Sequence, residues 1–187
     1  MEMGPPVSLL TSNYAMPLDP STARCIIRPM EEVDLRRVFA WRNAEPIHRW
    51  MFNPAPIEWD THRAWFERAC QNPRKHLLIF QADGEAAGFA QFGESGCGRI
   101  ADWGFYTGTD TPKGFGHVLC RHALAYGFTK LGLHKVNGQV LAGNLASRRL
   151  HERLGFRPEG ALRDQHFDGM RYHTVYCFGL LNEEWHS

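Results

Sequence analysis

The chain has 187 residues, 43% of them hydrophobic, and carries 21 Lys and Arg against 20 Asp and Glu, for a formal net charge of +1. That length and apolar content suffice for one well-buried domain, and so balanced a charge sets up no field that would draw nucleic acid. Five widely spaced cysteines, Cys25, Cys70, Cys97, Cys120 and Cys177, make no Cys-x-x-Cys pair or disulfide framework, and no apolar run approaches the ~18 residues of a membrane span, so a cytoplasmic protein with neither membrane anchor nor secretory leader is expected.

Residues 1–22, with Pro5, Pro6, Pro17 and Pro20 among small polar residues, show no sustained periodicity and read as a loosely ordered extension; the domain is expected over residues 23–187. Cys25–Arg28 suits a first strand. Glu31–Arg42 suits a helix with Leu35, Val38 and Phe39 on one face. A second helix over Asp60–Gln71 sets His62, Trp65, Phe66 and Ala69 in one stripe. His76–Gln81 and Glu85–Phe92 read as strands joined across Asp83-Gly84, with a third strand at Arg99–Tyr106.

The stretch Thr111-Pro112-Lys113-Gly114-Phe115-Gly116-His117 then runs into a helix predicted over Gly116–Lys130, with Val118, Leu119, Ala123, Tyr126 and Gly127 turned inward. Two glycines let backbone approach a ligand, and the free N–H groups of a helix start form an anion site. The same pattern also serves as a tight strand-to-helix turn. A Walker loop is excluded, because His117 and Val118 follow Gly116 where Lys and Ser or Thr would stand; a dinucleotide fingerprint would need a third glycine. Beyond it, Lys135–Leu141 is strand-like. Asn144–Leu154 reads as a helix capped by Asn144 and stopped by Gly155, and Phe156–Phe167 and Tyr172–Leu180 as a strand pair around Asp168-Gly169. Despite ten histidines there is no His-Glu-x-x-His or His/Cys spacing, and no metal is expected.

The strand Ala101–Tyr106, the loop Lys113–Gly116 and the segment Asn144–Phe156 together resemble the GNAT superfamily of acyl-CoA N-acyltransferases, over residues 24–185. The resemblance implies an α+β fold, with a single mixed, mostly antiparallel sheet flanked by helices and a splayed cofactor-binding strand pair. It implies acetyl-CoA as donor, its pyrophosphate on the backbone of Lys113, Gly114, Phe115, Gly116 and His117 and its thioester beside Phe105, Tyr106 and Thr107. Asn144 is expected against the pantetheine arm, as a plain helix cap, or as both. The family's loop reads Gln/Arg-x-x-Gly-x-Gly/Ala; here Thr111 takes the first position, which shifts the grip from side chain to backbone.

A narrower resemblance lies in Trp41-Arg42-Asn43, Arg49-Trp50-Met51-Phe52, the His62–Trp65 helix, Leu150–Phe156 and Phe178–Trp185. These resemble the sugar-nucleotide N-acetyltransferases of pseudaminic acid biosynthesis, which acetylate the 4-amino group of a UDP-linked 4-amino-4,6-dideoxy sugar destined for flagellin. The implied acceptor contacts are Arg42 and His62, with Trp50, Met51 and Phe52 walling the sugar and Tyr106 as a further contact. Each has a plainer role to set beside it: Arg42 as the C-terminal cation of its helix, His62 and the aromatics as core. The expected partners are a UDP-aminosugar and a second copy in a homodimer, with no nucleic acid and no membrane.

An acetyl thioester is already activated, so the protein must hold the donor, align a neutral amine, remove a proton and stabilise the oxyanion in one ternary complex. By resemblance Asp102 stands where relatives place a basic carboxylate, and His151 where many place an acidic Tyr. Asp102 is otherwise a solvated strand-end acid, and His151 a packing residue. Two other readings share the cofactor half: a protein N-terminal or ribosomal-protein acetyltransferase, and a non-enzymatic acyl-CoA-binding protein.

Overall fold

The computed structural model describes residues 19–186. Seven strands, β1 (Cys25–Pro29), β2 (Lys75–Ala82), β3 (Glu85–Glu94), β4 (Ile100–Thr107), β5 (Lys135–Leu141), β6 (Arg157–Phe167) and β7 (Tyr172–Leu181), form one sheet in the order β1-β2-β3-β4-β5-β7-β6. Every neighbouring pair is antiparallel except β4 and β5. Helices α1 (Leu35–Asn43), α2 (Glu45–His48) and α3 (Trp59–Cys70) cover one face; α4 (Phe115–Thr129) and α5 (Leu145–Arg153) cover the other. This is the mixed, mostly antiparallel sheet expected.

The near-continuous apolar run in β2 follows from this layering. Leu77 and Ile79 point to α1 and α3, whereas Leu78, Phe80 and Ala82 point to α4, so both pleat faces are buried. On α4 the buried stripe is Phe115, Leu119, Cys120, Ala123, Leu124, Gly127 and Phe128. Val118 and Tyr126, expected inward, are only partly buried at its margin.

Two local details differ from expectation. The helix predicted over Glu31–Arg42 opens as a 3-10 turn, Glu32–Asp34, before α1 begins. Asp34 accepts two hydrogen bonds from Arg28, at 2.7 and 2.8 Å, and one from the Glu31 N–H at 2.9 Å. Burial alone would raise its carboxyl, but these partners hold it below the usual carboxylate range. The short α2 was not expected: it is too brief to show a period, although Pro46 suits a first helical turn.

The strand pair β4–β5 opens early. Its rungs are Ile100–Lys135, Ala101–Val136 and Asp102–Asn137, after which β4 continues to Thr107 on β3 and β5 to Leu141 on β7 without pairing to each other. Of the expected N-terminal extension, residues 1–18 lie outside the described residues. Residues 19–23 form a turn in which Thr22 and Ala23 N–H donate to the Asp19 carbonyl. No helix among the described residues is long and apolar enough to cross a membrane.

Candidate active site

Three adjoining cavities meet at Tyr106 near the end of β4, and the second of them lies in the opening between β4 and β5. The first, about 430 Å³, lies between the end of β4, the start of α4 and the start of α5, and is lined by Phe105, Tyr106, Thr107, Gly114, Gly116, His117 and Asn144 among others. The sequence places the N–H groups here by simple means. Thr111 Oγ1 donates to the Ala87 carbonyl at 2.7 Å, pinning the loop to β3. Gly114 then caps α4 at φ +102°, a left-handed conformation that an L side chain rarely adopts, and a Cβ there would sit 2.9 Å from Pro20 Cγ. The first turn of α4 thus faces the cavity with its free N–H groups and positive dipole end.

The expected cofactor residues divide accordingly. Phe105, Tyr106, Thr107, Gly114, Gly116, His117 and Asn144 come together in this cleft. Lys113 is exposed and not among the lining residues, and the Phe115 ring is fully buried in the core against Phe80, so only its backbone is left for a ligand. Asn144 caps α5, its Oδ1 accepting from the Ser147 N–H at 3.1 Å, and lines the cleft as well. Arg153, which the sequence reading missed, lines the cleft from the end of α5 and adds a cation where a pyrophosphate would lie.

The second cavity, about 240 Å³, lies under the splay and is reached by Trp50, Met51, Gln91, Ser147 and His151. His151 is 2% exposed. Its Nδ1–H donates to the Ser147 carbonyl at 2.8 Å, and its Nε2 accepts from Trp103 Nε1 at 3.2 Å. A carbonyl can only accept and an indole N–H can only donate, so the ring is the neutral Nδ1–H tautomer. Burial pushes its pKa below the ordinary histidine value, partly offset by the Ser147 hydrogen bond. The ring's one proton is therefore engaged by backbone, and the geometry does not aim an acid at a departing sulfur. Ser147 is the residue overlooked: it lines both cavities, the donor cleft and the space under the splay.

Asp102 departs from expectation too. It is exposed at the last β4–β5 rung, accepts from Asn137 Nδ2 at 3.3 Å, and lines none of the three cavities. Being the final paired residue, it stands before the strands part, whereas a base must reach the amine.

The third cavity, about 320 Å³, opens on the other face of β4 and is walled by Met51, Trp65, Phe89 and Tyr106, with Arg42, His62 and Arg68 as its ionisable side chains beside Tyr106 and the neutral Thr61 and Gln91. The Trp41-Arg42-Asn43 run explains how its outer wall is held. Trp41 packs on Gly108, where a Cβ would lie 2.7 Å from the indole. Arg42 Nη2 donates to the Asn53 carbonyl at 2.6 Å, and Asn43 pairs with Ile57 through both amide atoms, at 2.8 and 2.9 Å. Two side chains thus pin residues 49–58, the segment carrying Trp50, Met51 and the exposed Phe52.

Arg42 Nη1 and His62 Nε2 are buried here without a hydrogen-bond partner among the described residues. Burial lowers both pKa values, and the nearby Arg42 charge adds to the effect on His62, so that imidazole is neutral near pH 7. Tyr106 lines all three cavities, and burial pushes its phenol well above the ordinary value, leaving a hydroxyl that stays protonated. Among the described residues, no Asp or Glu lines any of the three. Nor do His, Cys, Asp and Glu gather as a metal site among the described residues.

Residues 24–157 match the family model of the acetyltransferase (GNAT) domain. An uncharacterized Bacillus subtilis N-acetyltransferase derived from the SPbeta prophage is 30% identical over 147 residues, 76% of this chain and 78% of its own. A putative ribosomal N-acetyltransferase of the same organism is 30% identical over 170 residues, 85% and 92% of the two chains. The crystal structure of Vibrio cholerae spermidine N-acetyltransferase with CoA and spermine superposes with a TM-score of 0.79 at 26% identity, covering 86% of this chain and 96% of that one. None of these three is named for a sugar nucleotide, so the narrower resemblance to the pseudaminic acid enzymes finds no support among them. The chain belongs to the GNAT acetyltransferase family and is an acetyl-CoA-dependent N-acetyltransferase.

Proposed function

We propose that the chain transfers acetyl from acetyl-CoA to the 4-amino group of a UDP-linked 4-amino-4,6-dideoxy sugar, in the route to pseudaminic acid. The observation that carries this reading is the third cavity, which joins Arg42 and His62 atoms unpartnered among the described residues and Arg68 to aromatic and thioether walls, with no carboxylate among those residues. A polyamine needs acidic groups to bind its cations, and two arginines repel it. An anionic nucleotide instead satisfies Arg42 Nη1, whose burial without a partner is costly in the free protein. Trp50 and Met51, shared between the donor cleft and the space under the splay, then face the sugar.

In the ternary complex the amine attacks the thioester carbonyl, forming the C–N bond, and the tetrahedral intermediate collapses with loss of CoA thiolate. Backbone groups of β4 beyond Asp102, unpaired on the β5 side, accommodate the pantetheine arm and the developing oxyanion. With no carboxylate at hand, the ammonium proton leaves by water or by the free Nε2 of His62, and the Ser147 hydroxyl relays a proton toward the sulfur.

The deciding assay offers acetyl-CoA with UDP-4-amino-4,6-dideoxy sugars, with spermidine and with N-terminal peptides of ribosomal proteins, and measures released thiol. Turnover with the sugar nucleotide and little with the others is expected. Turnover confined to spermidine or to peptides overturns the proposal.

A further inference from the structure

β4 holds unbroken register with β3 from Ala101 to Thr107, so no bulge in β4 bends it away from β5. The separation has another cause. Just past the last rung, Asp102–Asn137, the residues on the α5 side are Trp103 and Gly138, and the His151 ring lies across both. Trp103 Nε1 donates to His151 Nε2 directly over Gly138: a Cβ there would collide with His151 Nε2 and lie 3.1 Å from Trp103 Nε1. The indole stacks on Phe156 at 5.1 Å and 18°, and the imidazole on Phe178 at 5.1 Å and 24°. Two stacked rings joined by a hydrogen bond therefore fill the vertex of the splay, and β5 has a residue without a side chain beneath them.

We propose that the Trp103–His151 pair, seated over Gly138, wedges β4 from β5 and so sets the width of the acyl-CoA cleft, with His151 a positioning residue acting through Trp103. Without the wedge, β4 and β5 can close further rungs and occupy the backbone groups that the donor's pantetheine arm requires. The inference is independent of which amine is acetylated.

Trp103→Phe keeps an aromatic ring but removes the pyrrole half with its N–H; Gly138→Ala displaces the imidazole. Coenzyme A affinity is read by calorimetry, and the His151 tautomer by nitrogen-15 NMR. The dissociation constant of coenzyme A is expected to rise about tenfold in each variant, the scale of one lost buried hydrogen bond and its orphaned partner. The NMR signature of the hydrogen-bonded Nε2 should disappear in Trp103→Phe, and in Trp103→Phe/His151→Leu the losses should not add. A folded Trp103→Phe protein that binds coenzyme A within about twofold of the parent, or losses that add in full, overturns the inference. Should Gly138→Ala fail to fold, Trp103→Phe and the double variant decide.

Discussion

Asp102 and Arg42 illustrate how one strand position and one helix position acquire opposite meanings in three dimensions. By resemblance Asp102 stands where relatives place a basic carboxylate, yet it sits at the last rung of β4 and β5 and hydrogen-bonds Asn137 outside the cavities. Asp102→Asn is therefore expected to reduce turnover by less than about threefold, against the ~100-fold or more that loss of a general base costs. Steady-state kinetics across pH check this, and a hundredfold loss would restore Asp102 as the base. Arg42, which a cation at a helix end would explain equally well in sequence, leaves Nη1 buried and unpartnered in the third cavity. Arg42→Ala should raise the acceptor KM about 10–100-fold, the range for a hydrogen bond to a charged group, and leave the acetyl-CoA KM nearly unchanged. An effect on the donor KM alone would remove Arg42 from the acceptor site.

Among the elements, the loop before α4 was legible from Gly114 and Gly116, but its anchoring was not. Thr111, set against the family's Gln or Arg, proves to tie the loop to Ala87 in β3, a partner 24 positions away that no local pattern can reveal. Gly114→Ala combines a strained φ with a contact on Pro20, and should cost about 1–3 kcal/mol. Coenzyme A affinity should fall with it, because the same residue aims the first turn of α4; calorimetry and thermal unfolding measure the two effects separately. The α3 stripe of His62, Trp65, Phe66 and Ala69 was equally readable as a period. That His62 keeps one ring nitrogen free beside Arg42 depends on the α1 backbone and on the cavity wall, which periodicity does not contain.

Across the whole molecule, His62 and His151 are both buried, at 2% exposure each, and both have pKa values below the ordinary 6.5. Between their folded values and 6.5 the unfolded chain binds more protons, so stability is fully present above 6.5 and is lost as pH falls through that window. The melting temperature should hold steady from about pH 8 to 7 and drop by pH 5.5, with a shallower drop in His151→Leu; an unchanged melting temperature at about pH 5.5 would contradict the assignment of neutral buried rings. Apart from the short α2 and the 3-10 turn before α1, the order of elements, the glycine pair before α4 and the α5 cap were determined by the sequence itself, because each depends on residues within a few positions of one another. Only the tertiary structure decided that β4 and β5 part after Asp102, that the His151 Nε2 lone pair is taken by Trp103, and that Arg42, His62 and Arg68 face one cavity without a carboxylate among the described residues. Those outcomes rest on contacts between residues tens of positions apart, whose burial and hydrogen-bond partners exist only once the sheet has brought them together.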